Sequence, residues 1–150
     1  MNTSDYDELI NEAQKDGIYR YVVASVVEQN SQILILKRPQ KEFMGGIYEL
    51  PSGKIEENES LLDALSRELQ EETGLKLKEI KKYLGYFDYQ SKTGKVTRQF
   101  NFAITSENVQ KIVLSEHDSY TWVGVNQLSE YSVTENVKLI LENFLNGVNQ

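Results

Sequence analysis

Three glutamates, Glu68, Glu71 and Glu72, stand three and four residues apart in the run "RELQEETGL". On a helix turning roughly 100° per residue, that spacing gathers their carboxylates within an arc of about 100°. Like charges at these offsets repel by a few tenths of a kcal/mol per pair, and by more where solvent is excluded. A hard divalent cation such as Mg²⁺ resolves the conflict, because it takes oxygen ligands and keeps room for water and substrate phosphate. The acidity around the trio is equally local. From Glu56 to Glu72 there are seven acids (Glu56, Glu57, Glu59, Asp63, Glu68, Glu71 and Glu72) against one base, Arg67. That window carries −6 of the chain's net charge of −7.

The spacing predicts a helix over residues 60–73, with Leu61, Leu62, Leu65 and Leu69 on a face that seeks the core. Asp63, Ser66 and Gln70 lie opposite, toward water. The three glutamates fall at the border of the leucine face, where solvent is partly excluded. An acidic face that merely meets solvent is the plain alternative, and geometry by itself leaves both readings open.

Elements that position such a helix can be read on either side of it. "SDYDELINEAQK" has Tyr6, Leu9, Ile10 and Ala13 at helical spacing, with Gly17 to end it. "YVVASVV" and "ILIL" are short aliphatic runs around "QNS", which reads as a buried hairpin. A loop containing Pro39, Gly45 and Gly46 leads to the short run "IYEL", and Pro51 and Gly53 punctuate the approach to the acidic helix. "KYLGYFDYQ" and "TRQFNFAI" flank "SKTG" as a long hairpin, with Phe100, Phe102 and Ile104 alternating onto one face. "YTWVGV" reads as a further strand. Val137, Ile140, Leu141, Phe144, Leu145 and Val148 make a closing amphipathic helix. The expectation is an α+β fold, a mixed sheet with helices packed on its faces.

Composition narrows the function classes. A chain of 150 residues is expected to form a single domain, residues 1–150, with a buried core. Its net negative charge argues against a nucleic-acid polymer as partner, because phosphate contacts need clustered Lys and Arg. No apolar run approaches the eighteen or so residues of a membrane span, and the acidic start has no secretory h-region. With no cysteine there is no thiolate nucleophile and no disulfide framework. A cytoplasmic location is the expectation.

The stretch from Gly53 to Leu75 resembles the signature of Nudix hydrolases, G-x5-E-x7-R-E-U-x-E-E-x-G-U, with U a bulky aliphatic residue. Gly53, Glu59, Arg67, Glu68, Leu69, Glu71, Glu72, Gly74 and Leu75 meet every fixed position. One departure is Ser52, where many members carry a second glycine. The resemblance implies an α/β/α sandwich and metal-dependent cleavage of a nucleoside diphosphate linked to another group. Glu68, Glu71 and Glu72 would hold Mg²⁺ or Mn²⁺ with the Ser52 carbonyl. Glu59 would pair with Arg67 to orient the helix, Gly53 would allow a tight loop, and Gly74 would cap the helix in a left-handed conformation. For the general base it offers Glu116 first and Glu68 as the competing choice. Arg38 stands where relatives place a basic residue toward the phosphates. His117, the single histidine, is expected in a surface loop rather than in a catalytic role, with contact to substrate left open. Tyr48, Phe87, Tyr89 and Phe100 are expected chiefly in the core or on sheet faces, with one or two left open as lining for the nucleoside pocket.

The implied substrate is a small-molecule nucleotide, foremost a (deoxy)nucleoside triphosphate or an oxidised one. ADP-ribose or a nucleotide sugar is the alternative, disfavoured because Pro39 and Pro51 both precede the box while ADP-ribose enzymes carry a proline beyond it. A non-catalytic nucleotide-binding module is a third reading, and such modules usually lose one of the glutamates. The chain is expected as a monomer or homodimer.

Overall fold

The computed structural model describes residues 3–107, 109 and 111–148, and side chains over 5–107, 109 and 111–146. Helix α1 (Thr3–Lys15) buries Tyr6 and Ala13, and Gly17, at φ 74°, ends it. Strands β1 (Arg20–Gln29) and β2 (Gln32–Lys37) form the expected hairpin. Its two turn residues, Asn30 and Ser31, both have positive φ, the arrangement that matches the twist of a tight hairpin. The run "IYEL" contributes β3 (Tyr48–Glu49), and β4 (Ser52–Lys54) comes directly after it. Next come α2 (Leu61–Thr73), β5 (Lys76–Gln90), β6 (Val96–Glu107), β7 (Ser119–Val123), a 3-10 helix (Val125–Glu130) and α3 (Glu135–Val148).

The sheet is mixed, in the order β3-β2-β1-β6-β5. β1 lies parallel to β6 from Arg20↔Thr97 to Val27↔Ile104. On its other edge β1 changes partner along its length. Glu28 and Gln29 pair with β2, whereas Val22, Val23 and Ala24 pair with β4. β7 pairs along the far edge of β2, while β3 pairs with Leu36 and Lys37 on the edge that faces β1. β2 and β4 therefore part where they leave β1, and a cleft lined by residues of β1, β3 and β4 opens on this part of the sheet.

Alternation along the strands divides the core in two. Val23, Val27, Phe100, Phe102 and Ile104 pack with α1 and α2. Ala24, Val26, Ile33, Ile35 and Val123 pack with Val137, Leu141 and Leu145 of α3. The result is the expected α+β sandwich with a helical layer on each face. The side chain of Val148, read as part of the closing stripe, lies outside the described side chains.

Three details differ from the sequence reading. Leu62 is 38% exposed, because the buried stripe of α2 runs through Leu61, Ala64, Leu65 and Leu69 and leaves Leu62 on its flank. β5 begins at Lys76, well before "KYLGYFDYQ", and its pairing with β6 is broken by three register irregularities. These bulges interrupt the period-two signal, and lysines on an edge strand hinder pairing with another chain. The 3-10 helix has no counterpart in the sequence reading, since a few residues carry no periodicity.

Candidate active site

The acidic helix is anchored at both ends by the residues its sequence supplies. The Ser60 side chain accepts the Asp63 N–H at 3.1 Å as N-cap, and Gly74, at φ 75°, closes the C-terminus with its N–H on Gln70 O at 2.8 Å. Arg67 braces the middle. Its guanidinium donates to both oxygens of Glu59 at 2.7 and 2.9 Å, to Glu68 at 2.7 Å, to Glu71 at 3.2 Å and to the Lys54 carbonyl at 3.0 Å. One cation thus ties the helix to β4 and to the loop before it. The Glu59 carboxyl is held below its ordinary value, chiefly by its hydrogen bonds from Arg67.

The three clustered glutamates are not equivalent. Glu71 is 58% exposed. Glu68 is half-buried against β4, and a Cβ at Gly53 would fall within its carboxylate, so only glycine lets strand and helix approach this closely. Burial raises the Glu68 carboxyl above its ordinary value, with Arg67 opposing. Glu72 is 9% exposed and accepts the Ser52 N–H at 2.7 Å. Its carboxyl is pushed up to about 8, first by burial, against the Ser52 hydrogen bond and His117, with Glu49 and Glu68 adding repulsion. Among the described residues, no three acidic or histidine side chains stand together as a metal-holding group, and Glu68 and Glu71 are both engaged by Arg67.

The expectation of a surface position for His117 is corrected. It lies in the loop before β7, but its side chain is only 4% exposed. Nε2 meets Glu49 at 2.7 Å, and Nδ1 lies 3.9 Å from Glu72 with no hydrogen-bond partner. Burial pulls the ring's basicity down, but the Glu49 hydrogen bond and the Glu72 charge outweigh it, so His117 stands above its ordinary value. Glu49 also binds Arg38 at 3.2 Å, and Arg38 donates to the Phe43 carbonyl at 2.9 Å. The sequence reading missed Glu49. Its signal was its place in "YELPSG", a few residues before the strand that packs on the helix.

A continuous cleft opens over these groups. Its polar end, about 270 Å³, is bordered by Glu72, His117, Glu116, Glu49, Gly53 and Lys54. The adjoining end, about 420 Å³, is lined by Tyr48, Phe87, Tyr89, Leu50 and Val137. Arg20, Arg38, Ser52 and Gln99 border both ends, as do Glu49 and Tyr89. Three of the four aromatics expected in the core or on sheet faces therefore line the cleft, while Phe100 is buried. Glu116 is exposed at the polar rim. The Glu68 carboxylate lies against Gly53 of the cleft wall, and Arg67 links it to Glu59 and Glu71. The arrangement offers carboxylates and a backbone strand at one end, cations between, and flat apolar walls at the other.

The family model described as NUDIX domain matches residues 18–144. An 8-oxo-dGTP diphosphatase of Proteus vulgaris is 45% identical over 56 residues, covering 37% of this chain and 50% of that protein. A CTP pyrophosphohydrolase of Escherichia coli (strain K12) is 43% identical over 54 residues, covering 36% of this chain and 40% of that protein. The chain thus spans half or less of the length of these curated relatives. A solved structure of a MutT protein from Methanosarcina mazei superposes with a TM-score of 0.74 at 23% identity, covering 89% of this chain and 96% of that one, a likeness of fold.

Proposed function

The chain belongs to the Nudix domain family, and on that premise we propose that it is a metal-dependent pyrophosphohydrolase of small nucleotides. The observation that carries the reading is the buried Glu72 on an acidic helix, at the floor of a cleft whose other end is aromatic. The substrate is a nucleoside triphosphate, canonical or oxidised. It fits a site with a carboxylate-and-cation end for phosphates and flat walls for a base. The named relatives act on such nucleotides.

The donor set fits a divalent cation. Glu68, Glu71, Glu72 and the Ser52 carbonyl are hard oxygen donors, and Gly53 leaves the Glu68 carboxylate a place against the strand. Such a cation, Mg²⁺ or Mn²⁺, neutralises phosphate charge and acidifies water when bound. The chain's own residues do the rest. Arg67 and Glu59 fix the helix against β4. Arg38 and Arg20 face the phosphates, and Tyr48, Phe87 and Tyr89 flank the base. Glu116 takes the proton as a water oxygen bonds to phosphorus and the bridging P–O bond breaks, the leaving phosphate departing as an anion. Glu68 is the less suitable base because Arg67 occupies its carboxylate.

A panel of nucleotides with Mg²⁺ or Mn²⁺ tests this, scoring monophosphate, pyrophosphate and phosphate release. Turnover of triphosphates is expected. Preference for ADP-ribose or a nucleotide sugar would overturn the substrate class, and no turnover of any member would overturn the enzymatic reading.

A further inference from the structure

We propose that His117 supplies a nitrogen ligand to the divalent cation, beside Glu72. The inference rests on the proposed function, in which Glu72 holds that cation. Its own support is geometric. A buried polar nitrogen without a partner needs an explanation, and His117 Nδ1 is one of the few such atoms among the described residues. It faces Glu72 Oε2 at 3.9 Å, a separation that one cation with bonds of about 2.1 Å to each donor can span. The opposite ring nitrogen is fixed by Glu49 at 2.7 Å. An ionised carboxylate only accepts, so Nε2 carries the proton, and in the neutral ring the lone pair lies on Nδ1. A histidine that donates one nitrogen to a carboxylate and presents the other to a metal is the usual arrangement of a metal-binding imidazole. The ring is also held in place from behind. Glu49 is itself bound by Arg38, and the next residue, Asp118, donates its N–H to the Lys37 carbonyl at 3.0 Å.

An imidazole among oxygen donors biases the site. Nitrogen binds first-row transition ions better than Mg²⁺, which prefers oxygen and keeps its waters. His117 therefore makes the site favour Mn²⁺ over Mg²⁺. The chain contains one histidine, so an imidazole signal at the metal has a single source.

The test uses the full chain without a histidine tag, and Mn²⁺ alone. Pulsed electron paramagnetic resonance of the bound Mn²⁺ is expected to show nitrogen modulation that disappears in His117→Asn. Calorimetry is expected to show Mn²⁺ binding weakened about tenfold or more in that variant, with Mg²⁺ binding changed far less. Circular dichroism melting checks that the variant is folded, and the wild-type spectrum decides the matter if it is not. Mn²⁺ bound to the wild type without nitrogen modulation overturns the His117 assignment and leaves the metal reading standing. Absence of Mn²⁺ binding by the wild type overturns both.

Discussion

Glu72 has an ordinary value near 4.5, but burial in the fold pushes its carboxyl to about 8. Between those values the folded protein holds a proton that the unfolded chain has released. Its stabilising share is complete below about pH 4.5 and is lost as pH rises through about 8. His117, also raised, acts in the same direction, complete below about 6.5 and lost as pH rises beyond that. In chelator, the melting temperature is therefore expected to fall from about pH 5 to about pH 8.5. Glu72→Gln keeps an acceptor for the Ser52 N–H and removes the charge. At about pH 8.5 it should melt higher than wild type, by roughly 5 °C, while turnover collapses. A lower melting point for the variant in chelator would instead make the carboxylate a structural group. Gly53→Ala probes the neighbouring contact. Its methyl displaces the Glu68 carboxylate, so a loss of about 1–3 kcal/mol of stability is expected in chemical denaturation, together with weaker metal binding.

At the scale of elements, Arg67 braces the middle of α2, with bonds that reach Glu59, Glu68, Glu71 and the Lys54 carbonyl. Arg67→Gln is expected to lower stability by about 2 kcal/mol and turnover with it. A rise in KM at unchanged melting temperature would mean that Arg67 contacts phosphate. The loop before β7 carries Glu116 at the cleft rim beside the anchored His117. Glu116→Gln is expected to cut kcat at least about 10²-fold with little effect on metal affinity by calorimetry. If kcat falls less than tenfold while Glu68→Gln is inactive, the base is Glu68. Much of this framework was legible in the sequence, because capping residues, leucine spacing and alternation act locally. α2 by its leucine spacing, the β1–β2 hairpin, the β5–β6 pair and α3 all announce themselves that way, and the resemblance supplied the Gly74 cap, whereas the Ser60 cap was not read. The remainder was hidden because it depends on contacts across the chain. His117 is buried because Glu49, sixty-eight residues earlier, lies opposite it. Tyr48 of β3 and Phe87 and Tyr89 of β5 line one cleft because the fold, not their spacing, brings them to it. The length of β5 was masked by its bulges.

For the molecule as a whole, site and stability are linked through the same acids. Most of the net charge of −7 sits in the segment that forms α2 and its approach, and the sheet and Arg67 hold that charge together. A ligand that binds the folded state alone raises stability by RT ln(1 + [L]/Kd), so a divalent cation should raise the melting temperature. The size of that rise depends on pH, because carboxylates must be ionised to act as ligands and the cation competes with protons for them. At about pH 6 the folded protein keeps the Glu72 proton, and binding must displace it. At about pH 8.5 the carboxylate is already ionised, and its repulsion from Glu68 and Glu49 is there to be relieved. The increase in melting temperature produced by about 5 mM Mg²⁺ is therefore expected to be clearly larger at about pH 8.5 than at about pH 6. In Glu72→Gln the difference between the two pH values should shrink, the remainder being the proton that the cation must displace from His117. Differential scanning calorimetry at both pH values, with and without chelator, measures all four conditions. Equal increases for the wild type at the two pH values would show that the cation does not take its place on Glu72, and the metal would then have to be held elsewhere in the molecule.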